Sequence, residues 1–204
     1  MKKLFALSLI ILMLGISFHN AQAQISSRPA PMWEDYEKTA ADRKSDKDFI
    51  EEATKLAGGD RDAAARSLVD IGWQRIGKGD PNHAIRAFNQ AWLLAPNNPN
   101  IFWGFAVASH IRNDELKTVI RFFNRARQLT ALNGFKESPR LETDHGRVLT
   151  ERNCHKEARP YFEKALSLDA NYVPAHIGMM NVANALGDET LLEKHKKLHD
   201  ELVK

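Results

Sequence analysis

The sequence predicts an all-α fold built from repeated helical hairpins, and three observations support this prediction. A small, aromatic, small pattern with spacings of four and three residues, which places the side chains on one helical face, occurs three times: at Ala84, Phe88 and Ala91; at Val119, Phe123 and Ala126; and at Ala158, Phe162 and Ala165. The aromatic residues are 35 and 39 residues apart, which fits a repeat of about 34 residues with insertions between units. Almost no segment alternates as a β-strand would.

The first copy carries the clearest motif. Its apolar, turn and closing positions are Leu68, Ile71, Gly72, Gly79, Asp80, Ala84, Phe88, Ala91 and Pro96. In these residues the sequence resembles the tetratricopeptide repeat family, whose unit is a helical hairpin with small and large residues alternating on the packed faces. The third copy keeps Gly146 but has Glu142 and His145 where the family usually has apolar residues.

The resemblance implies a right-handed α-α superhelix, a TPR-like solenoid of three to four helical hairpins in residues 60–204. The repeats are expected at about 65–98, 100–133, 139–172 and 173–204. The first helices of the hairpins are predicted near 62–77, 100–112, 140–152 and 174–186, and the second helices near 81–95, 116–130, 156–168 and 189–203. A single hairpin cannot bury its apolar face, so stacked neighbours must form the core.

The first 23 residues have the pattern of a secretory signal peptide. Lys2 and Lys3 precede an uncharged apolar run, and small residues end the segment, so cleavage is predicted between Ala23 and Gln24. A retained membrane anchor is the alternative, but the run of fifteen residues from Leu4 to Phe18 is short for a helix that must cross about 30 Å of hydrocarbon. We therefore expect a periplasmic or secreted protein with no membrane span after cleavage.

Two further segments precede the repeats. Residues 24–44 contain two prolines and many charges, with Trp33 and Tyr36 as the large apolar side chains, and are predicted to form a flexible arm that either docks on the solenoid or contacts a partner. Residues 45–59 are predicted to form a capping helix, because Ser45 and Asp48 suit a helix start and Gly58 with Gly59 suits its end.

Charge and cysteine content limit the classes of function. The formal charge of +3 falls to +1 once the two lysines of the signal segment are removed, so a generally basic surface for nucleic acid is not expected. Basic and aromatic residues do interleave around Phe123, but this ring already belongs to the apolar stripe. Cys154 is the single cysteine and forms no internal disulfide.

No motif in the sequence names a reaction, so we expect no catalytic residues, no cofactor and no metal. Cys154 and His155 are neighbours in a predicted turn, where a nucleophile and its base would not face one another. His195 and His199 have the spacing of two metal ligands on a helix, but Lys196 follows the first of them, where the zinc-protease motif has a glutamate.

By resemblance, the first helices of the hairpins line a concave groove that receives a peptide or helix of a partner. The positions predicted to face this groove are Arg66, Val69, Trp73, Ile101, Gly104, Ala108, Arg112, Arg140, Thr143, Arg147, Asn181 and Asn184. Trp73 and Ile101 suit apolar anchors, although they could instead pack against each other or beneath the cap. Arginines suit carboxylates and asparagines suit a peptide backbone.

The expected function is a non-catalytic adaptor or scaffold in the bacterial periplasm that binds an envelope or exported protein in its groove. An immunity or inhibitor protein that blocks one specific effector is the alternative, and an enzyme whose site is assembled from scattered histidines is a third hypothesis. The tetratricopeptide repeat serves many unrelated processes, so the resemblance alone does not identify the partner or the oligomeric state.

Overall fold

The computed structural model describes residues 28–34 and 37–204, and within these ranges every regular element is helical. A short 3-10 turn at Pro31–Trp33 comes first. The α-helices that follow are α1 (Ala40–Leu56), α2 (Arg61–Gly77), α3 (Pro81–Leu94), α4 (Pro99–Ile111), α5 (Leu116–Leu132), α6 (Pro139–Glu151), α7 (His155–Leu168), α8 (Val173–Leu186) and α9 (Glu189–Leu202). The chain forms two compact units, which meet in sequence at Asp114 and Glu115. The eight helices of the repeats begin and end within two residues of their predicted bounds.

The turns inside the hairpins share one backbone feature. Each contains a residue with a positive φ, and these residues are Gly79, Asn113, Asn153 and Gly187, with φ values of 69°, 61°, 61° and 69°. Glycine and asparagine are the residues that tolerate this left-handed conformation best. The first helix of each hairpin therefore ends at a residue that the sequence itself specifies.

Aromatic rings packed over glycines join neighbouring helices within each unit. In the first unit the buried Phe88 ring of α3 lies against Gly72 of α2 and Gly104 of α4. A Cβ atom added at Gly104 would lie within 2.6 Å of three carbons of this ring. In the second unit Phe162 of α7 lies in the same way against Gly146 of α6 and Gly178 of α8. The missing side chains allow the helices to approach closely around each ring.

The two units repeat this pattern with one offset. Each residue of the first glycine, phenylalanine, glycine set lies 74 positions before its counterpart in the second, and α3 and α7 show the same offset at both of their ends. Residues 66–114 and 140–188 thus correspond without a gap. This correspondence allows positions in one unit to be compared with those in the other.

The polar residues of α6 are accommodated by a buried cluster in the second unit. Arg127 of α5 donates from Nε to both carboxylate oxygens of the buried Glu142 at 3.0 Å, and it also contacts His145 Nδ1. The His145 ring is stacked between Phe123 and Tyr161, with ring centroids 4.4 and 4.0 Å apart. Burial, and then the charge of Arg127, lowers the pKa of His145 to about 3, so this imidazole is neutral near pH 7.

The predicted start of the capping helix is wrong. Helix α1 begins at Ala40 because Thr39 and Asp42 form a capping box, in which the Thr39 hydroxyl accepts from the Asp42 N–H at 3.2 Å and the Asp42 carboxylate accepts from the Thr39 N–H at 2.8 Å. The helix ends at Leu56, ahead of two glycines with positive φ. Its buried Phe49 and Ala53 lie on the side that packs against α2 and α3.

For the arm predicted at residues 24–44, the structure agrees with the docking alternative at residues 28–34 and corrects the end of the segment. Residues 40–44 belong to α1, and residues 28–34 are hydrogen-bonded to Asn89 of α3 and to Arg112, the residue that follows α4. The signal segment, its cleavage site and Tyr36 lie outside the described residues. In residues 28–34 and 37–204, no helix combines the length and hydrophobicity needed to span a bilayer.

Candidate partner-binding cleft

The predicted groove residues of the first unit are mostly engaged within the unit itself. Ile101 and Ala108 have no exposed surface and Val69 is buried, so in this conformation these side chains belong to the core. Arg66 is exposed and lies 3.4 Å from the Asp60 carboxylate. Of these four residues, only Arg66 offers a side chain to solvent.

Trp73 fills space between neighbouring helices. Its ring is half-buried and makes edge contacts with Trp103 at a centroid distance of 4.8 Å and with Phe88 at 5.9 Å. Aromatic pairs at such distances are favourable. The structure therefore places Trp73 in an aromatic cluster with Trp103 and Phe88.

Arg112 is committed to a local network at the end of α4. Its guanidinium donates to both carboxylate oxygens of Asp114 at 2.6–3.1 Å and to the carbonyl oxygen of Pro29 at 2.5 Å. Burial alone would raise the pKa of Asp114, but hydrogen bonds from Arg112 and Arg28 outweigh burial and lower it. Arg112 thus binds the amino-terminal segment and does not line an open groove.

The second unit contains an open cleft of about 430 Å³ between α6 and α8. Four of the predicted groove residues line it together: Arg140, Thr143, Arg147 and Asn181. Asn184 is exposed one turn further along α8 and does not line the cleft. The predicted groove residues that lie together at a concave surface are therefore those of the second unit.

The floor and one wall of the cleft are apolar. Phe162 of α7 forms the floor beneath Gly178, while Pro174 and Ile177 project from α8. Ile177 is 41% exposed, so a large aliphatic side chain is accessible at the edge of the cleft. Tyr172, at the residue before α8, contributes a half-buried ring. These residues offer a surface for one apolar side chain of a ligand.

Charged groups of both signs line the α6 side. Arg147 Nη1 donates to Glu151 at 2.8 Å, and Nη2 lies 3.7 Å from Asp144. Burial, followed by the negative charge of Asp144, raises the pKa of Tyr172. The buried hydroxyl of Thr143 has no hydrogen-bond partner. The cleft therefore provides donors and acceptors around an apolar centre.

The corresponding place in the first unit is filled. With the offset of 74 residues, Trp73 corresponds to Arg147 and Trp103 corresponds to Ile177. Two indole rings thus occupy the region where the second unit has an exposed isoleucine and a flexible arginine. The sequence contains this difference, but the groove prediction missed Ile177, Pro174 and Tyr172 because it compared single repeats of about 34 residues.

The cysteine and histidines that the sequence offers for catalysis or metal binding do not lie together. Cys154 is half-buried, with its Sγ atom 3.6 Å from the Arg152 carbonyl oxygen. His195 does not pair with His199, because its Nδ1 lies 2.9 Å from Nδ1 of His176 in the interior, whereas His199 contacts Asp200. Among the described residues, no group of three or more histidine, cysteine, aspartate or glutamate side chains could hold a metal ion.

No family model matches the chain, and no curated protein matches it either. Solved structures share its arrangement of helices. A structure of MamA is 19% identical with a TM-score of 0.57 and covers 82% of this chain and 96% of its own; a second MamA structure is 16% identical with a TM-score of 0.57 and covers 96% and 91%. PilW, a widely conserved type IV pilus biogenesis factor, is 16% identical with a TM-score of 0.60 and covers 96% of this chain and 77% of its own.

At identities below one fifth, these likenesses show the fold. MamA and PilW are tetratricopeptide-repeat proteins, and the packed helical hairpins of this chain, with glycine or asparagine at each inner turn, follow the same plan. The chain is an all-α protein with the tetratricopeptide-repeat-like solenoid fold.

Proposed function

We propose that this protein is a non-catalytic adaptor of the bacterial periplasm that binds a peptide or helix of a protein partner in the cleft between α6 and α8. The observation that carries the proposal is the open cleft itself, with Ile177 41% exposed beside a volume of about 430 Å³. Ligand pockets are typically about 300–1,000 Å³ in volume, with apolar walls and a few polar groups. The cleft has this size and this distribution of groups.

The partner would place one apolar side chain against Ile177 and Phe162. Arg147 and Asn181 would then contact polar groups of the partner's backbone or flanking carboxylates. Arg147 can exchange Glu151 for a carboxylate of the partner, because its ion pair with Glu151 is solvent-exposed and such pairs contribute only about 0–1 kcal/mol. A partner segment with an apolar residue next to an acidic residue fits this arrangement.

The periplasmic location rests on the amino-terminal sequence. Two lysines followed by an apolar run and small residues are typical of an export signal cleaved before Gln24. Recovery of a mature chain beginning at Gln24 from the periplasmic fraction would support this location, and recovery of the intact chain from the cytoplasm would contradict it. PilW, which has the same fold, is a type IV pilus biogenesis factor, so envelope assembly proteins are the first partners to test.

Crosslinking in cells tests the binding site. A photoreactive amino acid at position 181, beside the cleft, should capture a partner that mass spectrometry identifies. The substitution Ile177→Asp should abolish this adduct, because a charged side chain would lie against the apolar wall. Ile111→Asp is a matched control, since Ile111 is 42% exposed on α4 and belongs to the first unit.

The two variants give opposite expectations. The cleft proposal requires that Ile111→Asp retains the crosslinked partner while Ile177→Asp loses it, with both variants equally helical by circular dichroism. Equal recovery of the partner by both variants would place the binding surface elsewhere on the protein.

A further inference from the structure

Residues 28–34 lie on the first unit in the manner of a bound peptide. The segment reads Arg-Pro-Ala-Pro-Met-Trp-Glu and contains the short 3-10 turn that packs on α3. It is joined to helices more than 50 positions further along the sequence by hydrogen bonds and an ion pair. Pro29 and Pro31 are buried.

The Asn89 side chain forms two hydrogen bonds with the backbone of the segment. Its Nδ2 donates to the Ala30 carbonyl oxygen at 2.9 Å, and its Oδ1 accepts from the Met32 N–H at 2.6 Å. Asn89 is only 1% exposed, so its amide would lose these bonds inside a nearly dry site if the segment left without replacement. One amide that bonds both a carbonyl and an N–H group recognises a peptide by its main chain.

The arginine and the prolines supply selectivity. Arg28 forms an ion pair with Asp114, and Arg112, which bonds the same carboxylate, also donates to the Pro29 carbonyl oxygen at 2.5 Å. Prolines lack an N–H group and have a restricted backbone, so burying Pro29 and Pro31 leaves no donor unsatisfied and costs little entropy. The surface thus fits a basic residue followed by proline, a small residue and proline.

The second unit lacks this site. With the offset of 74 residues, Asn89 corresponds to Glu163 and Arg112 corresponds to Leu186. Neither replacement can donate a hydrogen bond to a peptide carbonyl group. Asp114 corresponds to Asp188 and is shared by both units, whereas Asn89 and Arg112 are particular to the first unit.

The docked segment carries backbone strain at one end. Met32 and Trp33 both have a φ of 53°, a left-handed conformation that is unfavourable for residues other than glycine. A peptide from outside the chain can make the contacts from Arg28 to the Met32 N–H without continuing into the left-handed turn, because the φ rotation of Met32 comes after that N–H group. The chain's own segment is therefore a ligand that another segment can replace.

We propose that the surface formed by Asn89, Arg112 and Asp114 is a second peptide-binding site, specific for an extended segment with a basic residue followed by Pro-x-Pro. Residues 28–34 occupy it as an intramolecular ligand and exclude a partner segment of the same chemistry. This site is separate from the cleft of the second unit, so its test is independent of the adaptor function proposed above.

The test uses a fluorescent, amino-acetylated peptide with the sequence of residues 28–34, titrated with the full chain. The variant Arg28→Glu, Pro31→Gly should release the chain's own segment, because it repels Asp114 and removes a buried ring. A tethered ligand competes at an effective concentration on the order of millimolar. The released variant should therefore bind the peptide at least tenfold more tightly than the wild-type chain.

Substitutions at the site complete the experiment. In the released background, Asn89→Asp removes the donor to the peptide carbonyl group and Asp114→Asn removes the charge that pairs with arginine, so each should weaken peptide binding at least fivefold. A control peptide with glutamate in place of arginine should not bind. Equal affinity of the wild-type and released chains, or unchanged affinity of both site variants, would overturn the proposal. Circular dichroism of each variant verifies that it is folded. Asn89→Asp and Asp114→Asn change different side chains, so if one of them does not fold, the other still provides the test.

Discussion

The contact between Phe88 and Gly104 predicts that a single methyl group will destabilise the first unit. Gly104→Ala places a Cβ atom within 2.6 Å of three carbons of the fully buried Phe88 ring. Carbon atoms in contact prefer about 3.5–4.0 Å, so the ring or helix α4 must move by roughly 1 Å. Overpacking of this kind typically costs about 1–3 kcal/mol.

Helix propensity acts in the opposite direction. Alanine is better than glycine within a helix by about 0.8–1.0 kcal/mol, which offsets part of the steric cost. Because three ring carbons are approached at once, we place the overpacking at the upper end of its range, and the expected net loss in the free energy of unfolding is about 2 kcal/mol. Urea unfolding followed by far-UV circular dichroism measures this loss.

Gly77→Ala is the matched control. Gly77 is the last residue of α2, it is exposed, and a Cβ atom there would meet nothing within 4 Å. This substitution should leave the free energy of unfolding unchanged or raise it by up to about 1 kcal/mol. If Gly104→Ala proves as stable as Gly77→Ala, the close packing of Phe88 is not the reason for glycine at position 104. Phe88→Leu should lower the free energy of unfolding less in the Gly104→Ala background than in the wild type, because the smaller side chain relieves the clash with the added methyl group.

Three further predictions concern caps and buried polar groups. The pKa of His145 is lowered to about 3 in the folded protein, whereas an unfolded histidine has a pKa of about 6.5. As the pH falls the unfolded state therefore binds the proton first, and the free energy of unfolding decreases below about pH 6.5, by about 2 kcal/mol at about pH 5. His145→Phe should remove this pH-dependent loss from urea unfolding curves. Thr39→Ala removes the cap of α1 and should cost about 1 kcal/mol, seen as faster amide exchange in that helix, with Ser45→Ala as the unaffected control. Arg127→Met leaves the buried Glu142 without the Nε–H donor that both of its carboxylate oxygens share, and should cost about 3 kcal/mol by thermal unfolding, much of which a second change, Glu142→Gln, should restore.

The sequence alone predicted the hairpins well because their determinants are local. The apolar spacing around Phe88 and Phe162 defines the helices, and the glycines or asparagines at the inner turns end them. The start of α1 was mispredicted because Ser45 and Thr39 both offer a capping hydroxyl, and only the structure shows that Thr39 and Asp42 satisfy each other. A start signal in the sequence does not exclude an earlier one.

The site was predicted less well, since exposure depends on contacts between distant residues. Ile101 and Trp73 both looked like groove anchors, but one lies in the core and the other packs on Trp103. Arg147 and Asn181 line a cleft in the structure, and their role in binding a partner stays a prediction. The pairing of His195 with His176 and that of Asn89 with residues 30 and 32 join segments far apart in sequence, which helical periodicity does not reveal.

The ring of Phe88 also bears on how the first unit comes apart. It belongs to α3 but lies against glycines of α2 and α4, so neither neighbour can detach without exposing an aromatic ring to water. In a repeat protein, such shared side chains make the coupling between adjacent hairpins large relative to the stability of either one alone. Partial opening of a single helix is then costly, and α2, α3 and α4 behave as one cooperative unit of unfolding.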